Sequence, residues 1–285
     1  AELLLVRSIT RVDRAVREGS RVRFAATATI GTDHVDEAWL KQAGIAFAAA
    51  PGSNANSVGE YVVCALLTLA ARQGRPLAGR SIGIVGVGNV GTRVEAKCRA
   101  LGMEVRLNDP PLARRTGDPK YRPLEELLSC DFLTLHTPLE KGGPDPTWHL
   151  ANAALLARMN PGAVLLNASR GAVADGRALL AALESGSLGG AVLDVWEGEP
   201  TPDLRLLARV DLATPHIAGY SYGGKVNGTE MIYRAACAAF NLPATWDRTR
   251  FMPAPAVPAL TLEADGKDDE EVLREAVLTI YPIER

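Results

Sequence analysis

The stretch that most limits what this chain can fold into is "SIGIVGVGNVGTRVEAKCRALGMEVRLND", residues 81–109. A short apolar run at 82–85 predicts a buried strand. Gly86, Gly88 and Gly91 follow as G-x-G-x-x-G, a helical period covers 90–100, and a second strand at 104–108 ends beside Asp109, 23 residues after Gly86. Glycines at these places permit a tight turn and a close backbone approach to a pyrophosphate, whose charge a helix N-terminus stabilises. The loop Gly86, Gly88, Asn89, Val90 and Gly91 is therefore expected to hold a dinucleotide, with Asp109 bonding the adenosine ribose. A carboxylate there repels a 2′-phosphate, which favours NAD over NADP. Arg114 and Arg115 offer cations to such a phosphate, although a pair of solvated loop charges is their plainer reading.

The rest of the chain repeats the alternation. Apolar, β-branched runs at 3–6, 22–29, 45–49, 132–136, 163–167 and 191–195 predict further strands, and helical periodicity is clearest at 58–71, 177–184 and 229–240. Strands separated by helices imply parallel sheets covered on both faces. The expected fold class is α/β: two Rossmann-like, doubly wound parallel-sheet domains plus a small α+β C-terminal segment. The punctuation "RQGRPLAGR" and the proline-rich 242–260 place a substrate domain at 1–74 completed by 216–250, a dinucleotide domain at 75–215, and a C-terminal dimerisation segment at 251–285. The 285 residues suffice for two cores.

Charge and cysteines remove several function classes. A net charge of -2 from 31 basic and 33 acidic residues provides no field for nucleic acid or an anionic membrane. Cys64, Cys98, Cys130 and Cys237 are scattered without a C-x-x-C pair, which argues against zinc, so no metal is expected, and against a disulfide framework; it fits a reducing cytoplasm. The longest apolar run, 61–71, is too short to span a bilayer.

Three strand ends carry chemistry. "NASRG" puts Arg170 in a glycine-bounded turn, "LDVWEGEP" puts Asp194, Glu197 and Glu199 at or past a strand end, and "TPHIAG" puts His216 in a turn after a third short strand. In an open α/β sheet these carboxyl ends form the ligand crevice. Oxidising a 2-hydroxy acid needs a planar guanidinium to grip the carboxylate, a base that takes the hydroxyl proton, and a carboxylate that orients the base. Arg170, His216 and Glu199 are the expected holders of those roles.

These motifs, with "HTP" at 136–138, run in the order found in D-isomer-specific 2-hydroxyacid dehydrogenases, and the chain resembles that family over nearly its whole length. The resemblance implies the same trio as catalytic residues. It implies cofactor contacts at Asp109, His136, Thr137, Pro138, Ala168, Ser169, Asp194 and Gly219, with Asp194 at the nicotinamide carboxamide. After the histidine the chain reads "GYSYGGK", and with "LLVRSIT", "ATIGTDHVD" and the insertion "PLEKGGPDPTWHL" this is similar to the family branch that oxidises 4-phospho-D-erythronate on the route to pyridoxal phosphate. The implied partners are a phosphorylated hydroxy acid and a second copy of the chain. The implied substrate contacts are Ser8, Thr29 and Tyr220, to which a phosphate dianion adds Arg7 and Lys225 on chemical grounds. Oxidation of a three-carbon phosphorylated hydroxy acid or of another 2-hydroxy acid, and a non-enzymic, NAD-sensing corepressor role, stay open. Against the family pattern, the chain starts after the expected opening βα unit and stops inside the C-terminal segment.

Overall fold

Short apolar runs become strands here, and amphipathic runs become helices. In the computed structural model, which describes residues 1–17 and 20–284, the strands are β1 (Leu3–Val6), β2 (Phe24–Thr27), β3 (Ala46–Ala48), β4 (Ser81–Val85), β5 (Glu104–Asn108), β6 (Phe132–Leu135), β7 (Val164–Asn167), β8 (Gly190–Leu193) and β9 (Leu212–Ala213). The helices are α1 (Glu37–Gln42), α2 (Ala55–Gln73), α3 (Asn89–Ala100), α4 (Pro110–Thr116), α5 (Leu124–Leu127), α6 (Ala153–Leu156), α7 (Gly176–Ser185), α8 (Leu204–Leu207), α9 (Tyr222–Ala239) and α10 (Asp269–Ile280). Start and stop signals are visible where they matter. The Asp175 side chain accepts from the Arg177 and Ala178 N–H groups at the head of α7, and Gly186 in the left-handed region ends it.

The chain divides into two compact units, 1–57 with 219–256 and 58–218 with 257–285. In the first, β1, β2 and β3 form a parallel sheet in that order. Ile232 and Ala236 of α9 pack with Phe24 and Ala26 of β2 in its core. In the second, a six-stranded parallel sheet runs β5-β4-β6-β7-β8-β9. Strands β6, β7 and β8 are buried at every residue, as a sheet covered on both faces requires. The order reverses between β4 and β6, and the loops after those two strands are the glycine loop and the 136–138 turn. Ligands of doubly wound sheets bind at such a switch point.

Two boundaries differ from the punctuation-based expectation. Residues 58–74 pack with the second unit, because Tyr61, Leu66, Leu67 and Leu69 of α2 bury themselves in its core. Residues 257–285 pack there as well: Val277, Leu278, Tyr281 and Ile283 join the same core, and the Glu270 carboxylate accepts the Leu77 N–H at 2.8 Å. The α9 start is a further difference. Apolar periodicity predicts a helix from 229, yet α9 begins at Tyr222, with the Ser221 side chain accepting the Gly224 N–H at 3.0 Å. Its first turns carry glycines because they lie against backbone and short side chains. A Cβ on Gly224 would meet Asn54 Cβ at 2.8 Å, and one on Gly228 would meet the Ala28 carbonyl oxygen at 3.1 Å. Close packing through glycine leaves no apolar signature in the sequence. No helix of the described residues is long and apolar enough to cross a membrane.

Candidate active site

The glycine loop is built as a cradle. Gly86 has φ +86°, and a Cβ there would meet the His136 carbonyl oxygen at 2.6 Å. A Cβ on Gly91 would lie 2.0 Å from the Gly86 oxygen, so α3 can start this close to β4 only without a side chain. Gly88 faces open space, with nothing within 4 Å of a built Cβ. It caps α3 without a side-chain hydrogen bond, which leaves the first N–H groups of Asn89, Val90 and Gly91 to an outside acceptor. Around the switch point, Thr137 Oγ1 and His136 Nδ1 are buried without a hydrogen-bond partner in the protein. Orphaned polar atoms beside an open anion cradle fit a bound dinucleotide. Burial pushes the His136 imidazole down to about 4, so the ring is neutral, with Nε2 paired to Thr134 Oγ1 at 2.9 Å.

Asp109 is more occupied than its ribose-binding expectation suggests. One carboxylate oxygen accepts the Leu112 N–H at 2.9 Å as the N-cap of α4, and the other accepts the Val87 N–H of the glycine loop at 2.8 Å. It holds the cradle in shape; its remaining lone pairs are those that can meet a ribose. Arg114 forms a two-pronged ion pair with Asp145 of the 138–150 insertion, with Nη1 to Oδ1 at 2.9 Å, so it is already committed within the protein.

The three residues expected to carry catalysis follow adjacent strands. Arg170 follows β7, Glu199 follows β8 and His216 follows β9, all past the carboxyl edge of one parallel sheet. The Asn167 side chain ties the arginine turn: its oxygen accepts from Ser169 N and Oγ, and its amide donates to the Arg170 carbonyl at 2.9 Å. Arg170 is half-buried and donates from Nη1 to the Ser169 carbonyl at 2.8 Å. Ala168 and Ser169 lie in the same turn. Glu199 accepts the Trp196 N–H on one oxygen at 2.7 Å and meets His216 Nδ1 with the other at 2.8 Å. The carboxylate therefore selects the tautomer with hydrogen on Nδ1, and the half-exposed ring presents Nε2 outward.

His216 sits in the left-handed region at φ +58°, a conformation a non-glycine residue adopts only when its surroundings impose it. Asp194 imposes it. The Asp194 carbonyl accepts the His216 N–H at 2.7 Å, and its carboxylate accepts Thr214 Oγ1 at 2.7 Å, Ile217 N at 2.7 Å and Ala218 N at 2.9 Å. Burial pushes the Asp194 carboxyl up, against the pull of Thr214, the two N–H groups and His216. The carboxylate that the family pattern assigns to the nicotinamide carboxamide thus also holds the histidine turn, with one acceptor site left on Oδ2. Sequence reasoning missed this fastening, along with Trp196, whose Nε1 donates to the Thr214 carbonyl at 2.9 Å. No spacing rule links residues 20 positions apart through a side chain.

In the first unit, Gly219 takes the Asn54 amide on its carbonyl at 3.1 Å, and a Cβ there would collide with Asn54. Lys225 Nζ lies 3.3 Å from the Tyr220 ring centroid. The Tyr220 hydroxyl is pulled down chiefly by its hydrogen bond and charge contact with Lys225, and further by Arg7, so these three groups share one surface. Ser8 is exposed. Thr29 Oγ1 donates to the Gly31 carbonyl at 2.9 Å and pairs with Thr27 Oγ1 at 2.7 Å, so it is less free than its assignment as a substrate contact implies.

Known proteins resemble the chain in sequence and in shape. Residues 62–218 match the D-isomer specific 2-hydroxyacid dehydrogenase, NAD binding domain. A protein of Salinibacter ruber named erythronate-4-phosphate dehydrogenase is 56% identical over 87% of this chain and 65% of its own length. One of the same name from Escherichia coli is 48% identical over 100% of this chain and 75% of its own. The chain thus spans just under two thirds of the first relative's length and three quarters of the second's. Among solved structures, the D-lactate dehydrogenase of Aquifex aeolicus complexed with NAD and lactic acid superimposes with a TM-score of 0.69 at 26% identity, covering 85% of this chain and 83% of that one. With the glycine cradle, the orphaned Thr137 hydroxyl and the trio on three neighbouring strand ends, the chain belongs to the D-isomer specific 2-hydroxyacid dehydrogenase family and binds NAD as its cofactor.

Proposed function

We propose that the protein oxidises 4-phospho-D-erythronate at C2 with NAD, the activity its relatives are named for, on the route to pyridoxal phosphate. The observation that carries the chemistry is the 2.8 Å bond between His216 Nδ1 and Glu199, which leaves Nε2 as a base. His216 Nε2 takes the C2 hydroxyl proton, and Glu199 stabilises the imidazolium that results. Arg170 grips the substrate carboxylate, which fixes the face presented to the cofactor. NAD, when bound, accepts the C2 hydride, so the balance is hydroxy acid and NAD to oxo acid, NADH and a proton held on His216. The phosphate end is assigned to Arg7, Ser8, Thr29, Tyr220 and Lys225; the shared surface of Arg7, Tyr220 and Lys225 supports a dianion site. We further assign substrate binding to the first unit, dimerisation to the C-terminal segment, a homodimeric state and a cytoplasmic location.

The test is NADH formation with 4-phospho-D-erythronate and 3-phospho-D-glycerate side by side, with a 2-oxo acid added to free any tightly held reduced cofactor. Preference for the four-carbon acid is expected; preference for the three-carbon one moves the assignment to that substrate while keeping the trio. Absence of turnover with any hydroxy acid, together with NADH binding, would leave only an NAD-sensing role. Light scattering on the same sample reads the dimer.

A further inference from the structure

The buried Asp194 carboxylate has an arrangement that neither the sequence motifs nor the trio accounts for. It makes no ion pair with a lysine or arginine among the described residues, so its charge is satisfied by hydroxyl and backbone N–H donors. One donor, Thr214 Oγ1, has a single hydrogen, and that hydrogen goes to Asp194 Oδ1 at 2.7 Å. Thr214 Oγ1 also lies 2.7 Å from Tyr61 Oη. With the threonine hydrogen committed, the tyrosine must be the donor. A directed relay results, Tyr61 O–H to Thr214 O–H to the Asp194 carboxylate, with Tyr61 1% exposed, Thr214 7% and Asp194 1%. Each bond polarises the next, and the shielding from water makes each stronger.

We propose that Tyr61 is a positioning residue for the reaction: it is the outer donor of the relay that keeps Asp194 a charged acceptor and so holds the His216 turn in its left-handed conformation. This rests on the assignment of His216 as the base. Tyr61 touches neither His216 nor Glu199 in this network. It acts through Thr214, whose hydroxyl it polarises, and through Asp194, which fastens the backbone at 216, 217 and 218. The Tyr61 hydroxyl bonds Thr214, so nucleotide binding and carboxylate anchoring should not depend on it.

The experiment is a double-mutant cycle of Tyr61→Phe and Thr214→Val, with Thr214→Ser as the variant that keeps the hydroxyl. Tyr61→Phe is expected to lower kcat about tenfold and leave KM for NAD and for the hydroxy acid within about twofold. In the Thr214→Val background, Tyr61→Phe should change nothing further, whereas in the Thr214→Ser background its full effect should return. Fold changes that simply multiply in the Thr214→Val background, or an unchanged kcat in Tyr61→Phe, overturn the relay. A second readout needs no substrate: the His216 Nδ1–H proton resonance, assigned by its loss in His216→Asn, should shift or broaden in Tyr61→Phe. An unmoved resonance overturns the proposal even if the substrate assignment holds, and a moved one supports it even if that assignment fails. Thermal melting of each variant separates a displaced turn from a protein that does not fold.

Discussion

At the residue scale, the trio differs from an ordinary cluster of charges in how each member is held. Glu199 is bonded on both oxygens, one by the Trp196 backbone and one by His216, so the imidazole has a fixed tautomer and a fixed direction. His216→Asn removes the base and should lower kcat by about 10²–10⁴, with NADH affinity by fluorescence titration unchanged. Glu199→Gln keeps the shape and loses the charge that supports the imidazolium, so a smaller drop in kcat, on the order of tenfold or more, is expected. A His216→Asn enzyme with near-native turnover would remove the base assignment. All three trio residues were legible as residue types in recognisable turns. Their fastenings were not: Tyr61 and Thr214 are 153 positions apart, and a hydroxyl-to-hydroxyl bond at that separation leaves no pattern along the chain.

At the scale of elements, the strand–glycine–helix unit was readable because its constraint is local. Backbone approach within one turn demands glycine regardless of what packs outside it. Two of its glycines do different things, and substitution separates them. Gly91→Ala places a methyl group 2.0 Å from the Gly86 carbonyl, so α3 must move away from β4; a loss on the order of 2–4 kcal/mol in urea unfolding and weak NADH binding are expected. Gly88→Ala meets nothing in the protein, so stability should stay within about 0.5 kcal/mol while NADH affinity falls, because the methyl group occupies the face on which a pyrophosphate would lie. Equal stability losses in the two variants would contradict this division of labour. The start of α9 was misread for the opposite reason: its glycines answer to Asn54 and Ala28, far away in sequence, and they erase the apolar period that marks a helix.

For the whole molecule, buried titrating groups set the pH range of stability. His136 titrates at about 4 in the folded state against 6.5 unfolded, so between those values the unfolded chain binds a proton that the folded chain refuses. Stability is therefore full above about pH 6.5 and falls as the pH drops toward 4. On the alkaline side, burial holds the thiols of Cys64 and Cys98 up at about 12 against 9.0 unfolded. The unfolded chain loses those protons first, so stability falls as pH rises above about 9, by ~1.4 kcal/mol per pH unit for each group. The Tyr281 hydroxyl, at about 12 against 10.0, adds to the loss above pH 10. Melting temperatures across pH 4–11 should trace a plateau near neutrality with both flanks falling; His136→Gln should flatten the acid flank, and an unchanged acid flank in that variant would remove His136 as its cause. By itself the sequence determined the α/β class, the place of the dinucleotide loop and the strand-end turns that carry Arg170, Glu199 and His216, because each depends on neighbours within a turn or on an alternation of strand and helix. Only the tertiary structure decided that 58–74 and 257–285 share the core of the dinucleotide unit, that Asp194 fastens the histidine turn, and that Asp145 takes Arg114. Those outcomes follow from side chains meeting across the sheet and between distant loops, where close packing and the satisfaction of buried polar groups, rather than chain order, choose the partner.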